Sequence, residues 1–165
     1  MTVRTIVRFP DPLLQTACEP VERFDEGLRK LAADLVETMR AAPGVGITAA
    51  HVGVMKRLVV LELPDWTEPR TYVNPQILAT SADTMRHAEG SVSMPGFVEE
   101  VERPSSVRFR YQDLSGGVHE EHAEGFHAIC IQHEIDQLDG IFWLKRLSRL
   151  KRERLVQKWK KQGGR

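Results

Sequence analysis

The sequence predicts a single α+β domain in which several strands precede a central helix and a basic helix follows it. Three segments carry apolar residues at helical spacing, and segments between the first two alternate apolar and polar residues as strands do. The 165 residues are 41% hydrophobic, which is enough to bury a core without metals or disulfides. Strands and helices do not alternate regularly, so a doubly wound nucleotide-binding fold is not expected.

The spacing predicts a first helix over residues 25–41, with Asp25 as its N-cap and Pro43 and Gly44 ending it. Strands are predicted over residues 57–63, 70–78, 106–112 and 118–123, with a turn at Ser115 to Gly117 before the last of them. The apolar face of the first helix consists of Leu28, Leu31, Ala32, Leu35, Val36 and Met39.

A second helix is predicted over residues 125–139 and ends at Gly140. One face of it carries Phe126, Ile129, Cys130, His133 and Gln137. The final helix, residues 148–161, has an apolar stripe of Leu147, Leu150, Leu155 and Trp159. We take residues 1–147 as the main body and residues 148–165 as a basic C-terminal helix and tail of the same domain.

Charge is distributed unevenly along the chain. The 23 Lys and Arg residues balance 23 Asp and Glu residues, but after Leu144 the only acidic residue is Glu153. A basic tail on an acidic body suits contact with nucleic acid, although a solvated helix face explains the same charges. The basic residues of this region are Lys145, Arg146, Arg149, Lys151, Arg152, Arg154, Lys158, Lys160, Lys161 and Arg165.

Two cysteines, Cys18 and Cys130, lie far apart and lack metal-site spacing, which favours a reducing compartment. No long apolar stretch precedes the first prolines, so neither a signal peptide nor a membrane span is expected. We therefore predict a cytoplasmic protein without a membrane partner.

His133 and Glu134 begin the sequence HEIDQ, which differs from the zinc-binding pattern HExxH at its last residue, Gln137. Positions four apart share a helix face, so two imidazoles in HExxH grip one metal while the Glu moves a proton. Here the second imidazole is absent, and the tetrapeptide alone is weak support for a metal site.

Three segments in order give the pattern much greater weight. Residues 44–51 read GVGITAAH, residues 89–96 read EGSVSMPG, and residues 132–140 read QHEIDQLDG. These resemble the peptide deformylase motifs GxGLAAxQ, EGCLS and QHExDHLxG. The resemblance covers nearly the whole chain, including FPDPLL, FDEGLRKL, YVNP and the basic tail. It implies a peptide deformylase-like fold, with antiparallel or mixed sheets around the HExx helix.

The resemblance also implies roles for individual residues. In this family a Cys and two His hold a divalent metal, usually iron, with zinc, nickel or cobalt as substitutes. A metal-bound water then removes the formyl group from the N-terminal formyl-methionine of nascent proteins. The ligand positions correspond to Ser91, His133 and Gln137. Glu134 corresponds to the general acid and base, while His51 and the Val92 backbone amide occupy the positions that stabilise the oxyanion.

Further positions match the family's peptide cleft, although the apolar ones among them are equally explained as core residues. His87 replaces an apolar pocket residue, which puts a preference for methionine in question, and Glu89 corresponds to a carboxylate that orders the site. The full set implied for substrate binding is Gly44, Val45, Gly46, His87, Glu89, Gly90, Phe126, Ile129 and Cys130.

Ligand chemistry argues against a normal metal site. A serine hydroxyl is rarely ionised near neutrality and glutamine offers only a neutral carbonyl oxygen, so Ser91 and Gln137 are poor replacements for thiolate and imidazole. We expect no metal or only a weakly bound one, and deformylation lost or severely weakened.

Three alternatives stay open from the sequence. The first is an active deformylase with a rearranged metal site that uses His51 and His133. The second is a metal-free hydrolase with Ser91 as nucleophile. The third is a non-catalytic protein that binds the N-terminal peptide of nascent chains, or the ribosome through its basic C-terminal helix, as some bacterial deformylases do.

Overall fold

The computed structural model describes residues 2–163 and contains an α+β fold. The helices are α1 (Glu26–Ala41), α2 (Gly125–Leu138) and α3 (Arg149–Lys161). The strands are β1 (Gly46–Thr48), β2 (Leu58–Leu61), β3 (Arg70–Thr80), β4 (Thr84–Glu89), β5 (Glu99–Pro104), β6 (Ser106–Gln112) and β7 (Val118–Glu124). Short 3-10 helices span Pro12–Gln15, Ala49–Val52 and Trp143–Arg146.

The strands form two sheets in which all strand pairs are antiparallel. Five strands have the order β1-β2-β3-β6-β7, and β4 pairs with β5 as a separate two-stranded sheet. Helix α2 packs against the larger sheet through β1, β2 and β7, and α1 packs on β1 and β2. The predicted α+β fold class is confirmed. Of the two sheet arrangements that the resemblance implied, antiparallel or mixed, the structure has the antiparallel one.

The predicted strands agree with the structure where apolar residues alternate. Strand β6 has the predicted bounds, β3 and β7 extend slightly further, and β2 is shorter than predicted. Strands β1, β4 and β5 were not predicted. β1 has only three residues, while β4 and β5 read TMRHAE and EEVERP, whose many polar residues hide the alternation.

The first helix begins as its sequence predicts. An Asp25 side-chain oxygen accepts a hydrogen bond from the Leu28 backbone amide at 3.1 Å, which satisfies one of the unpaired donors of the first turn. The predicted apolar face is largely buried, including Leu35 and Met39. This face packs on the sheet beside β1, which leads into the 3-10 helix containing His51.

Helix α2 is the central element, and most of its side chains are buried. Gly140 follows it with φ +78°, the left-handed conformation that glycine adopts at low cost. A Cβ atom there would lie 2.9 Å from backbone atoms of Gln15, Thr16 and Ala17. The glycine therefore allows the N-terminal segment to cross close to the end of α2.

Helix α3 packs on the body of the protein through Leu155 and Trp159. The Trp159 indole N–H donates to the Phe9 carbonyl oxygen at 3.0 Å, and its ring contacts Phe97 edge to face. The prediction that Leu150 belongs to the apolar stripe is wrong, because this side chain is 59% exposed. Within residues 2–163, none of the helices combines the length and apolar character needed to cross a membrane.

Candidate active site

A cleft of about 440 Å³ lies between the start of α2, the turn after β4 and the segment leading into β1. The residues of all three sequence motifs meet there. Of the residues predicted for the site, the cleft is lined by Gly44, Val45, Gly46, His51, Glu89, Gly90, Ser91, Val92, Phe126, Ile129, Cys130, His133 and Glu134. His87 and Gln137 are not among the lining residues.

A buried ion-pair network holds His133 in the cleft. His133 Nδ1 lies 2.9 Å from Glu89 Oε1, and Arg103 binds both oxygens of Glu89 at 2.6 and 3.0 Å. Burial opposes ionisation of Glu89, but the hydrogen bonds from His133 and Arg103 outweigh it and lower the pKa of this carboxyl. Burial likewise opposes protonation of His133, yet the neighbouring Glu134 and Glu89 carboxylates raise its pKa.

The network continues away from the cleft along α2. Arg103 also donates to Asp136 at 2.9 Å, and Asp136 accepts two hydrogen bonds from Arg146 at 2.7 and 2.8 Å. Sequence reasoning missed Arg103, Asp136 and Arg146 as site-supporting residues. Asp136 could have been recognised as a site residue because it lies inside the HEIDQ segment. The two arginines lie outside every motif, on β5 and on the 3-10 helix after α2.

Glu134 lines the cleft from α2 and is 5% exposed. Burial raises the pKa of its carboxyl to about 7, although the nearby His133 opposes this shift. A Cβ atom on residue 46 would approach Glu134 Oε2 to 2.6 Å, so Gly46 provides the space in which this carboxyl sits. Glu134 Oε1 is buried and has no hydrogen-bond partner within residues 2–163.

His51 is 1% exposed and is held by Thr48. Its Nδ1 lies 2.9 Å from the Thr48 backbone nitrogen and 3.0 Å from the Thr48 hydroxyl. Since a backbone amide only donates, Nδ1 is the acceptor, and the proton of the neutral ring is on Nε2. Burial, together with the nearby His133, lowers the pKa of His51 to about 3, so the ring is neutral near pH 7.

Ser91 lies at the cleft wall in the turn that follows β4. Its hydroxyl oxygen accepts a hydrogen bond from the Ser93 backbone amide at 3.1 Å, and its carbonyl accepts one from Met94 at 3.0 Å. These are the local bonds of a serine-stabilised turn. The next amide, that of Val92, donates no hydrogen bond within the described residues, so it remains free to meet a ligand.

Gln137 corrects the predicted arrangement of α2. The sequence placed it on the face that bears His133, but its side chain turns towards the N-terminal segment instead of the cleft. Its Nε2 donates to the Leu14 carbonyl oxygen at 2.8 Å, and the residue is 3% exposed. The third family ligand position is thus used to join α2 to the 3-10 helix at Pro12–Gln15.

His87 lies beside the cleft rather than within its lining. Its Nδ1 donates to the Ala88 carbonyl oxygen at 2.8 Å, and its ring lies 4.9 Å from the Phe126 ring. Phe126 does line the cleft, so His87 packs behind a residue of the cleft wall.

The residues at the three ligand positions do not fit a divalent transition metal. Gln137 bonds to Leu14, Ser91 supports its own turn, and only His133 presents an imidazole to the cleft. Across residues 2–163, no group of three or more His, Cys, Asp or Glu side chains has the arrangement of a metal site. This donor set differs from the Cys and two His that the motif resemblance implied.

Comparison with known proteins agrees with the motifs and the cleft. The model of the family described as polypeptide deformylase matches residues 3–153. The chain belongs to this family. The matched range covers most of the chain and includes all the residues that line the cleft.

The relatives of this chain include proteins named peptide deformylase-like and proteins named peptide deformylase. It is 65% identical to a peptide deformylase-like protein of Agrobacterium fabrum, over 98% of each chain. It is 47% identical to a peptide deformylase of Afipia carboxidovorans, over 98% of this chain and 96% of that one.

Solved deformylase structures share the fold. The peptide deformylase of Ehrlichia chaffeensis in complex with actinonin is 38% identical, with a TM-score of 0.93 over 98% of both chains. The enzyme of Legionella pneumophila is 37% identical, with a TM-score of 0.91 over 97% of this chain and 95% of that one. The α+β fold is therefore that of peptide deformylases.

Proposed function

We propose that this protein is a deformylase homologue that keeps the family's peptide cleft but has lost metal-dependent deformylation or retains it only weakly. The observation that carries the proposal is the 2.8 Å hydrogen bond between Gln137 and the Leu14 carbonyl. It places the side chain at the second histidine position outside the cleft. A full set of strong donors binds zinc with roughly 10–16 kcal/mol in small peptides, so loss of two donors removes most of that affinity.

A rearranged metal site based on His51 and His133 is disfavoured by the orientation of His51. Coordination through Nε2 requires an unprotonated nitrogen there, which moves the proton of the neutral ring to Nδ1. Nδ1 would then point a proton at the donating Thr48 amide, 2.9 Å away. Binding a metal in this way costs the Thr48 hydrogen bond in a fully buried position.

Hydrolysis with Ser91 as nucleophile lacks the hydrogen bond that activates a serine. A nucleophilic hydroxyl donates to a general base, usually an imidazole. In the described part of the chain the Ser91 hydroxyl interacts with the Ser93 amide, and neither His51 nor His133 is its partner. We therefore favour a binding function over this second catalytic one.

Binding of an N-terminal peptide is supported by the form and lining of the cleft. Val45, Phe126 and Ile129 provide apolar walls, while the free Val92 amide and the polar groups of α2 lie among them. The related Ehrlichia protein binds actinonin, which supports ligand binding by the shared fold. The N-terminal peptide of a nascent chain in the cytoplasm is the ligand that best agrees with family membership.

The direct test is to purify the full chain anaerobically and to measure bound metal and formate release from formyl-Met-Ala-Ser. The Afipia carboxidovorans peptide deformylase, prepared in parallel, is the positive control. We expect less than one equivalent of metal after dialysis and formate release at least about a hundredfold slower than the control. Removal of a single group that stabilises the charge of the transition state slows a reaction by about that factor. One tightly held equivalent of metal together with control-like formate release would refute the proposal.

A ribosome-binding role for α3 is a second candidate, favoured by its exposed charge. Leu155 and Trp159 pack on the body, so the basic side chains face solvent on the remaining surface. Among the described residues, Arg149 pairs with Glu153 and Lys151 lies near Glu99. On α3, the exposed basic residues that have no acidic partner within residues 2–163 are Arg154, Lys158, Lys160 and Lys161. Such a cluster suits the phosphates of ribosomal RNA.

A further inference from the structure

Strand β7 forms one edge of the five-stranded sheet, where only β6 pairs with it. Most of its side chains are exposed, and Val118 is one of the few large apolar side chains of the described residues that face solvent, at 64% exposed. An open edge presents backbone N–H and C=O groups that pair readily with another strand. The edge of β7 therefore offers a surface for strand addition.

The hydrogen bonds at the two ends of β7 show which of its backbone groups face outward. The Gly125 N–H donates to the Ser105 carbonyl oxygen at 3.0 Å, and the Asp113 N–H donates to the Gly117 carbonyl oxygen at 2.8 Å. Both pairs continue the register of β6 with β7, so the odd-numbered residues of β7 are the ones that bond to β6. The even-numbered residues therefore turn their backbone N–H groups to the open edge.

Glu120 and His122 are the central residues of this outward-facing set. Both side chains are exposed, and within residues 2–163 neither backbone N–H donates a hydrogen bond outside the strand ladder. Glu120 lies 3.3 Å from Arg108 of β6, and His122 Nδ1 lies 3.7 Å from Glu124 Oε1. The open edge thus carries a carboxylate and an imidazole two positions apart on one face of the sheet.

Two copies of β7 match each other when they run antiparallel about a two-fold axis at Glu121. Each Glu120 then lies opposite His122 of the second copy, and the outward-facing backbone groups of this pair exchange both N–H···O hydrogen bonds. A histidine ring N–H donates to a carboxylate in its neutral and in its protonated state. Symmetry repeats the same pair on the other side of the axis.

Other registers are less favourable. A shift of two residues in one direction places Glu120 opposite Glu120 of the second copy, and a shift in the other direction places it opposite Glu124. Like charges directly opposite each other destabilise a strand pair. A shift of one residue sets outward-facing backbone groups against inward-facing ones, so their hydrogen bonds are lost. The side-chain sequence of β7 therefore selects a single symmetric register.

We propose that the β7 edge is an interface between two copies of this protein, which joins their five-stranded sheets into one. Glu121 lies on the two-fold axis, but its carboxylate is bound by Arg70 and Tyr72 of its own chain at 3.3 Å each. The exposed Val118 faces the alkyl chain of Glu124 of the second copy. This inference does not depend on the proposed function, because no residue of β7 lines the cleft.

The first test is sedimentation velocity of the full chain between about 10 µM and about 1 mM, because an interface of one strand pair is small and binds weakly. We expect the average mass to rise from 18.7 kDa towards twice that value. A protein that is still monomeric at about 1 mM would overturn the proposal.

Amide hydrogen exchange of the wild-type protein, measured by NMR at both concentrations, locates the interface. The amides of Glu120 and His122 are expected to exchange more slowly at the higher concentration, in proportion to the dimer fraction. The Glu121 amide already bonds to β6 and is expected to exchange equally at both. Exchange at Glu120 and His122 that does not change with concentration would contradict the interface.

A charge exchange tests the register. His122→Glu places a glutamate opposite Glu120 of the second copy, and we expect this variant to stay monomeric at about 1 mM. Combining it with Glu120→His restores the pair in reversed order and is expected to restore the dimer. In the double variant the glutamate at position 122 faces Arg108 across β6, which supports folding. Gln157→Glu, at an exposed position of α3, is the matched charge control and is expected to dimerise as wild type does.

Circular dichroism and urea unfolding establish that each variant is folded. A folded double variant that stays monomeric while Gln157→Glu dimerises would refute the proposed register. Equal dimerisation of His122→Glu and wild type would place the interface elsewhere on the surface and would also refute the proposal. The exchange pattern of the wild-type protein tests the interface without relying on any variant.

Discussion

Gln137 and Leu14 lie 123 positions apart in the chain, yet the Gln137 amide donates a 2.8 Å hydrogen bond to the Leu14 carbonyl oxygen. Both groups are buried, since the two residues are 3% and 1% exposed. The contact joins the end of α2 to the N-terminal segment near Gly140. A residue at a ligand position of the family thus stabilises the fold instead of the cleft.

Removal of this hydrogen bond is expected to destabilise the protein. Gln137→Leu leaves the Leu14 carbonyl buried without its partner, which costs about 1–3 kcal/mol. Urea unfolding at pH 7 measures the change. Gln157→Leu, at an exposed position on α3, is the matched control and is expected to change stability by less than about 0.5 kcal/mol. Equal stability of Gln137→Leu and wild type would show that the contact contributes nothing.

Restoring both missing ligands is expected to restore metal binding. The double variant Ser91→Cys with Gln137→His regains a thiolate and a second imidazole beside His133, while Glu134 is retained. We expect about one equivalent of zinc or iron after dialysis, measured by elemental analysis, against little in wild type. Gln137→His alone is the control for ligand number. A folded double variant that stays free of metal would show that the cleft has diverged beyond its ligand positions.

Loss of Arg103 is expected to be far more damaging than loss of an exposed arginine on the same sheet. Arg103 is 4% exposed and pairs with Glu89 and Asp136. Arg103→Met removes the cation that joins these two buried carboxylates, so that only His133 and Arg146 remain to pair with them. Breaking a buried pair in this way costs about 3–5 kcal/mol. Arg86→Met, whose side chain is 65% exposed beside Glu102, is expected to cost at most about 1 kcal/mol.

Urea midpoints of the two arginine variants provide the comparison, and their pH dependence adds a second check. The pKa of Glu89 is lowered in the folded protein, so its stabilisation is present above the unfolded pKa of 4.5 and is lost as pH falls through the folded value. Arg103→Met should weaken this acid-side loss. Similar midpoints for both variants would contradict the importance of the network.

Glu134 is expected to give stability the opposite pH dependence. Its pKa rises from 4.5 in the unfolded chain to about 7 in the folded protein. The folded state therefore retains a proton that the unfolded state has lost, and stability falls as pH rises from 4.5 to 7. The shift corresponds to about 3 kcal/mol.

The matching experiment compares the free energy of unfolding of wild type and Glu134→Gln between pH 4 and pH 8. The variant does not ionise, so its stability relative to wild type should increase by about 3 kcal/mol across this range. Glu120→Gln, at an exposed carboxylate of β7, controls for removal of one negative charge. Parallel curves for wild type and Glu134→Gln would contradict burial of an ionisable carboxyl in the cleft.

Ribosome association through α3 is best tested by changing charge without removing the helix. Truncation after Leu147 would remove Leu155 and Trp159 from the core, so we propose Gln at Arg154, Lys158, Lys160 and Lys161. We expect wild type to cosediment with ribosomes at low salt and to dissociate steeply towards physiological salt, because phosphate contacts release counterions. The fourfold variant is expected to stay in the supernatant.

The control for the charge variant removes four exposed basic residues elsewhere: Arg23, Arg29, Lys30 and Lys56, each changed to Gln. These lie on or near α1, so the net charge changes equally while α3 is intact. If both variants cosediment with ribosomes as well as wild type does, the basic residues of α3 do not bind the ribosome and simply face solvent.

Residue spacing and motifs were enough to predict the family and most of the local elements. Helical periodicity predicted the bounds of α1 and α2 to within one residue, and Asp25 was correctly predicted as the N-cap of α1. Apolar alternation predicted the observed bounds of β6. These features depend on neighbouring residues, whose side chains favour one backbone conformation and one buried face. The motif order likewise indicated the fold, because it follows directly from residue identity and spacing.

The pairing of the polar groups in the cleft follows from the three-dimensional fold and was not predicted. The Thr48 amide fixes the tautomer of His51, Arg103 on β5 binds Glu89 and Asp136, and Gln137 leaves the cleft for Leu14. Strands β4 and β5 were hidden in the sequence because their polar residues lack clear alternation. Such pairings join residues far apart in the chain, and their free energy depends on burial and geometry that no local pattern encodes.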